Sequence, residues 1–141
     1  MVHTIVAFLW RKPGISPEAF RDYYENNHMK LLLSVGGDAF PLTHTRHYVP
    51  RKYVNAASSD ITNTNFKPTV YGGTTEFFDF DCYTEMTFKD FDHFMAFNVK
   101  ILDADANSDE WKKDQANFVD TSEKSRQIVL LDTPITTNGP A

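Results

Sequence analysis

Both faces of the opening segment are apolar. Over residues 2–11, alternation sends His3, Ile5, Ala7 and Leu9 to one side and Val2, Thr4, Val6, Phe8 and Trp10 to the other. A strand of this kind belongs inside a sheet, with a neighbour on each edge and material on each face. The rest of the chain must therefore supply partner strands and at least one covering layer.

Lys12-Pro13-Gly14 stops the strand, and Ser16-Pro17-Glu18 reads as a helix start. Ser16 offers a capping hydroxyl, Pro17 suits the first helical position, and Glu18 lies near the positive end of the helix dipole. The helix is predicted over 17–34, ended by Gly36-Gly37. Residues 41–49 form a second strand with Leu42, His44, Arg46 and Tyr48 on one face and Thr43, Thr45, His47 and Val49 on the other. Residues 50–73 have no steady period and are rich in Asn, Ser, Thr and Pro, which predicts a long ordered loop serving function or an interface. A third strand over 77–88 places Phe78, Phe80, Cys82, Thr84 and Met86 opposite Asp79, Asp81, Tyr83, Glu85 and Thr87. Helices over 90–101 and 108–118, a last strand over 127–131 and a loose tail complete the chain. The order β-α-β-β-α-(α)-β predicts an α+β, ferredoxin-like βαββαβ arrangement: one domain over 1–132 and a tail over 133–141.

Such a sheet carries helices on one face and leaves the other bare. Two copies packing sheet to sheet would cover it and enclose a cavity. The 12 Phe, 6 Tyr and 2 Trp among 141 residues supply both core and pocket walls. Several classes are excluded. No run is long and apolar enough to span a bilayer, and no secretory leader is recognisable, so a cytoplasmic protein is expected. The single Cys82 permits neither an internal disulfide nor a cysteine zinc site. A net charge of −5 without a basic cluster argues against nucleic acid. No metal-ligand spacing and no glycine-rich phosphate loop are present, so no metal or cofactor is expected.

Chemistry concentrates on two elements. Phe20, Tyr24, His28 and Leu31 make one helix stripe, so Tyr24 and His28 face the same space. An imidazole there suits general acid–base work, and a satisfied core histidine is the alternative. His44, Arg46 and Tyr48 share a strand face and offer a proton carrier, a fixed cation and a phenol; the opposite assignment would bring His47 inward. An acidic row of Asp79, Asp81 and Glu85 either positions a histidine or lies in water. The candidate set is thus His28, Tyr24 and His44 for catalysis, with Phe20, Arg46, Tyr48, Asp81 and Tyr83 for substrate binding.

The run from Lys12 through Ser16-Pro17-Glu18, Phe20 and Tyr23-Tyr24 to His28 resembles the EthD-like family of dimeric α+β barrels. The segments 41–51 and 81–88, with Phe118-Val119-Asp120, resemble the subgroup found in fungal polyketide clusters. The resemblance implies a homodimer with one cavity per subunit, and cofactor-free tailoring of a small hydrophobic aromatic substrate. It makes His28 the family's helix histidine. The reaction it implies is a lyase step, decarboxylation of a hydroxylated aromatic carboxylic acid. Dehydration or cyclisation, a pericyclic step, anthrone-type oxygenation and a non-catalytic small-molecule-binding dimer are the alternatives.

Overall fold

The structure, a computed structural model, describes residues 2–122 and 126–141. β1 (His3–Leu9) is internal, as its two apolar faces require. It pairs antiparallel with β5 (Cys82–Phe88) on one side and β6 (Gln127–Leu131) on the other. β2 (Thr43–Tyr48) pairs antiparallel with the far edge of β5, giving the order β2-β5-β1-β6. Both β1 and β2 run antiparallel to β5 between them, so the connection from β1 to β2 crosses over one strand, and helices carry it.

That crossover is one long helix with a wide turn inside it. α1 (Pro17–Tyr23) starts where Ser16 Oγ accepts the Ala19 N–H at 3.1 Å. Tyr24–His28 then forms a π-helical turn in which the Met29 N–H reaches the Tyr24 carbonyl, and α2 (Met29–Gly36) continues. Gly37, at φ +52°, ends the helix. The expected uninterrupted helix therefore contains one extra residue in a turn, which carries the inward stripe on to Leu32; Leu31 is only half-buried. α3 (Phe91–Asn107) runs past the expected end at 101, because nothing breaks it until Ser108. Ser108 caps α4 (Asp109–Phe118) by accepting the Trp111 N–H.

These helices cover one side of the sheet. Ile5, Ala7, Met86 and Phe88 pack against Leu32, Phe97, Ile101 and Trp111. Removing each large side chain from water contributes about 1.5–3 kcal/mol. A Cβ on Gly36 would meet the Phe97 ring at 3.0 Å, so glycine permits the close approach of α2 and α3. On the other side of the sheet, no helix among the described residues covers Phe8, Tyr83, Val129 and Leu131, and β6 is exposed along its length.

Two expectations are corrected. The loop 50–73 contains a ribbon, β3 (Arg51–Tyr53) paired antiparallel with β4 (Phe66–Pro68). The third long strand begins at Cys82, and Thr75–Phe78 is a 3-10 turn. Both follow from one buried cluster. Arg51 donates to Asp81 at 3.0 Å and to the carbonyls of Phe66, Phe78, Asp79 and Phe80. Three of those carbonyls are thereby taken away from strand pairing. Arg11 joins the same carboxylate and also donates to the Ile15 and Ile61 carbonyls and to Asn63. The last residues, 133–141, form no helix or strand and are exposed. Among the described residues, no helix is long and apolar enough to cross a membrane.

Candidate active site

A cavity of about 80 Å³ opens between the helices and the covered face of the sheet. Its walls are mostly apolar, from Leu9 and Met86 on the sheet to Leu32, Phe97 and Trp111 on the helices. Into them are set His28, His44, Tyr24 and Thr84, with Asn98, Gln115 and Arg126 as further polar lining. A mostly apolar cleft with a few convergent polar groups is the usual form of a small-molecule site.

His28 sits in the π turn, an element that recurs at functional sites. Its Nδ1 lies 2.6 Å from Asp114 Oδ2, and both residues are buried, at 6% exposure each. Tyr23 donates to the other Asp114 oxygen at 3.0 Å and accepts from Asn117 at 3.0 Å. The carboxylate thus has a donor on each oxygen. The Gln115 amide flanks Nδ1 at 3.2 Å, and the imidazole packs among Tyr24, Trp111 and Phe118 with ring centroids 4.8–5.3 Å away. A carboxylate facing Nδ1 selects the tautomer with its proton there, leaving Nε2 as the acceptor of the neutral ring. No described residue hydrogen-bonds Nε2.

His44 carries the opposite arrangement. Its Nδ1 lies 2.9 Å from Nη1 of Arg46; a guanidinium can only donate, so this nitrogen accepts. Burial lowers its pKa to about 4, helped by the charge of Arg46 and by His28, so near neutrality the ring is uncharged with its proton on Nε2. The cavity is therefore lined by a neutral His44 that presents an N–H from Nε2 and by His28, whose Nε2 faces away from its carboxylate partner. The face of β2 that the sequence left open is the His44 face. His47 lies on the uncovered side, stacked on Tyr83 at 4.5 Å and 2.9 Å from Glu85.

Other expected site residues stand behind the cavity wall. Arg46 makes a two-pronged contact with Glu25, at 2.5 and 3.0 Å, and Tyr48 donates to the same carboxylate. That pairing holds Glu25 well below the ordinary carboxylate range. Arg46 is thus no open cation for substrate. Phe20 is buried behind Tyr24, against Tyr48 and Phe118. Tyr24 does line the cavity, but its hydroxyl pairs with Thr84 at 2.9 Å, and burial raises its pKa far above an ordinary phenol. The hydrogen bond that orients His28 comes from Asp114, and Tyr24 supplies a ring edge. Asp81 and Tyr83 are not brought to this cavity. Asp81 belongs to the arginine cluster, and Tyr83 points from β5 to the uncovered face because side chains alternate along a strand. The Cys82 thiol, pushed up to about 12 by burial, is an inert part of the core.

Asp114 and Glu25 were missed by sequence reasoning. Asp114 had a signal: it lies three residues after Trp111 and four before Phe118, a carboxylate on the buried stripe of α4. Glu25 had none, because only the π turn aims it at Arg46.

Against this geometry stands one family match. The model of the EthD domain matches residues 12–122, from the turn after β1 to beyond α4. The chain belongs to the EthD family. The matched span of this EthD protein includes His28, His44 and Asp114. None of the curated proteins compared matches the chain. Among the described residues, no three His, Cys, Asp or Glu are grouped to hold a metal ion.

Proposed function

We propose that this EthD protein is a cytoplasmic lyase that tailors an aromatic polyketide, decarboxylating a hydroxylated aromatic carboxylic acid by histidine acid–base catalysis. Its working form is a homodimer of ferredoxin-like subunits joined through their uncovered sheet faces. The observation that carries the reading is the His28–Asp114 pair opening on a cavity shared with His44. Stability alone gives little reason to keep such a pair. Desolvating each ion costs several kcal/mol, and a well-packed apolar replacement is often as stable or more so.

In the proposed step, protonated His28 delivers its Nε2 proton to the ring carbon that bears the carboxylate. Asp114 stabilises the imidazolium inside the apolar wall. A new C–H bond forms, the bond to the carboxylate breaks, its electron pair returns to the ring, and CO2 leaves. The net change consumes one proton and needs no oxidant or reductant; neutral His28 regains its proton from water. His44 donates from Nε2 to a neighbouring ring oxygen and fixes the orientation of the ring. Arg46 is engaged by Glu25 and Arg126 by Asp105, so the leaving carboxylate meets no unengaged arginine that would stabilise its ground state.

The donor–acceptor pairing of the two imidazoles also favours a second reaction on the same groups. Neutral His28 would take the proton next to a carbonyl held by His44, a C=C bond would form as the bond to the β-hydroxyl breaks, and the proton on His28 would pass to that hydroxyl, which leaves as water. Incubation of the protein with hydroxylated aromatic carboxylic acids and with hydroxy-ketone intermediates separates the two. Loss of the mass of CO2 supports decarboxylation, and loss of the mass of water supports dehydration. The open cavity at His28 weighs against a purely structural histidine in a filled core.

A further inference from the structure

Four groups beside the cavity, Glu25, Arg46, Tyr48 and His44, take no part in the proton step, yet they form one connected unit. Glu25 comes from the π turn that also carries His28, while the other three come from β2. Arg46 uses Nε and Nη2 on the Glu25 carboxylate, and Nη1 on both the ring nitrogen and the carbonyl of His44, at 2.9 and 3.1 Å. Tyr48 closes the unit on Glu25 Oε2 at 2.5 Å. The guanidinium is planar and can only donate, so its fork presents one donor to His44 from a fixed direction. The ring is held on its other sides by Phe40, stacked at 6.1 Å, and by the edge of Tyr24 at 6.3 Å.

We infer that Arg46, locked by Glu25, is a positioning residue that fixes the His44 proton on Nε2, so that His44 recognises an acceptor oxygen of the substrate, a carbonyl or phenolic oxygen. The inference rests on the cavity being the substrate site, but it concerns a proton position that exists without substrate. The charged and titratable groups facing His44 are Arg46 on its own strand and Glu25, His28 and Tyr24 on the helix. Arg46 and a protonated His28 both oppose a charge on His44, and Glu25 favours one. Because Glu25 sits in the π turn, the same ion pair also ties the acceptor imidazole to the donor imidazole across the cavity.

Nitrogen-15 NMR of histidine-labelled protein, without substrate, reads both tautomer and titration. In the natural protein, His44 is expected to be neutral with its proton on Nε2 near neutral pH, and to titrate well below an ordinary histidine. In Arg46→Met the proton should be shared between the two nitrogens, and the titration midpoint should rise by about one unit or more. Arg46→Lys retains charge and a donor, and should keep the midpoint low. A His44 protonated on Nδ1 in the natural protein overturns the inference, as does an Arg46→Met spectrum identical to it. If Arg46→Met does not fold, the natural protein and Arg46→Lys still decide. Failure of the lyase assay with an Nε2–H tautomer present would count against the reaction and leave this arrangement standing.

Discussion

An imidazole with a carboxylate on one nitrogen and open space on the other can take up or release a proton without turning its ring. His28 has that environment. Replacing it with alanine should lower turnover by about 10²–10⁴-fold while circular dichroism stays unchanged, the range of a lost general acid–base. Asp114→Asn keeps the shape and removes the charge that stabilises the imidazolium; turnover should fall, though less than in His28→Ala, when both are assayed side by side. Acid should also weaken the fold. The His44 pKa is about 4 when folded, below its ordinary value of 6.5, so the unfolded chain binds the proton more readily in between. Stability is therefore lost as pH falls from about 6.5 towards about 4, and the depressed Glu25 acts in the same direction at lower pH. Urea denaturation at several pH values across this window checks the sign. His28 and His44 were legible in the sequence because each lies on a periodic face. The partners that set their protons were not, because Asp114 is 86 residues from His28 in the chain and Glu25 is 21 from Arg46.

At the scale of elements, the π turn and the arginine cluster decide the geometry. The turn adds one residue between the stripe that packs Phe20 and Tyr24 and the stripe that continues through Leu32. Deleting the exposed Asn26 should restore regular helical spacing and rotate His28 away from Asp114. Helix content by circular dichroism would persist while activity is lost; an active deletion variant would contradict this role for the turn. The cluster around Asp81 fastens the ribbon to the sheet. Asp81→Asn leaves two buried guanidiniums without their carboxylate and should cost about 3–5 kcal/mol in chemical denaturation, the range for breaking a buried ion pair from one side. Main-strand positions and helix starts were readable because alternation and capping are local. The ribbon was not: β3 and β4 are three residues each, and Arg51 pairs with Pro68 across a polar stretch with no period. Nor could alternation over 77–81 reveal that Arg51 takes those carbonyls out of the sheet.

For the whole molecule, the demand made by the opening strand is met on one side by helices, and on the other side no helix among the described residues meets it. Both the α+β class and the uncovered face could be anticipated from the order of elements. The pairing of two such faces is the proposed working state. Val129→Glu places a charge in the middle of that face, opposite Val6 in the register, and should convert a dimer to a monomer by light scattering. A variant that stays dimeric would count against sheet-to-sheet packing. The central claim is that His28, held by Asp114, moves a proton at a substrate carbon. The most direct measurement is mass spectrometry of hydroxylated aromatic carboxylic acids incubated in deuterated water with the natural protein and with His28→Ala. The expected product lacks CO2 and carries one deuterium at the carbon that lost it, formed by the natural protein and not by the folded variant. Equal product from a folded His28→Ala protein would contradict the account.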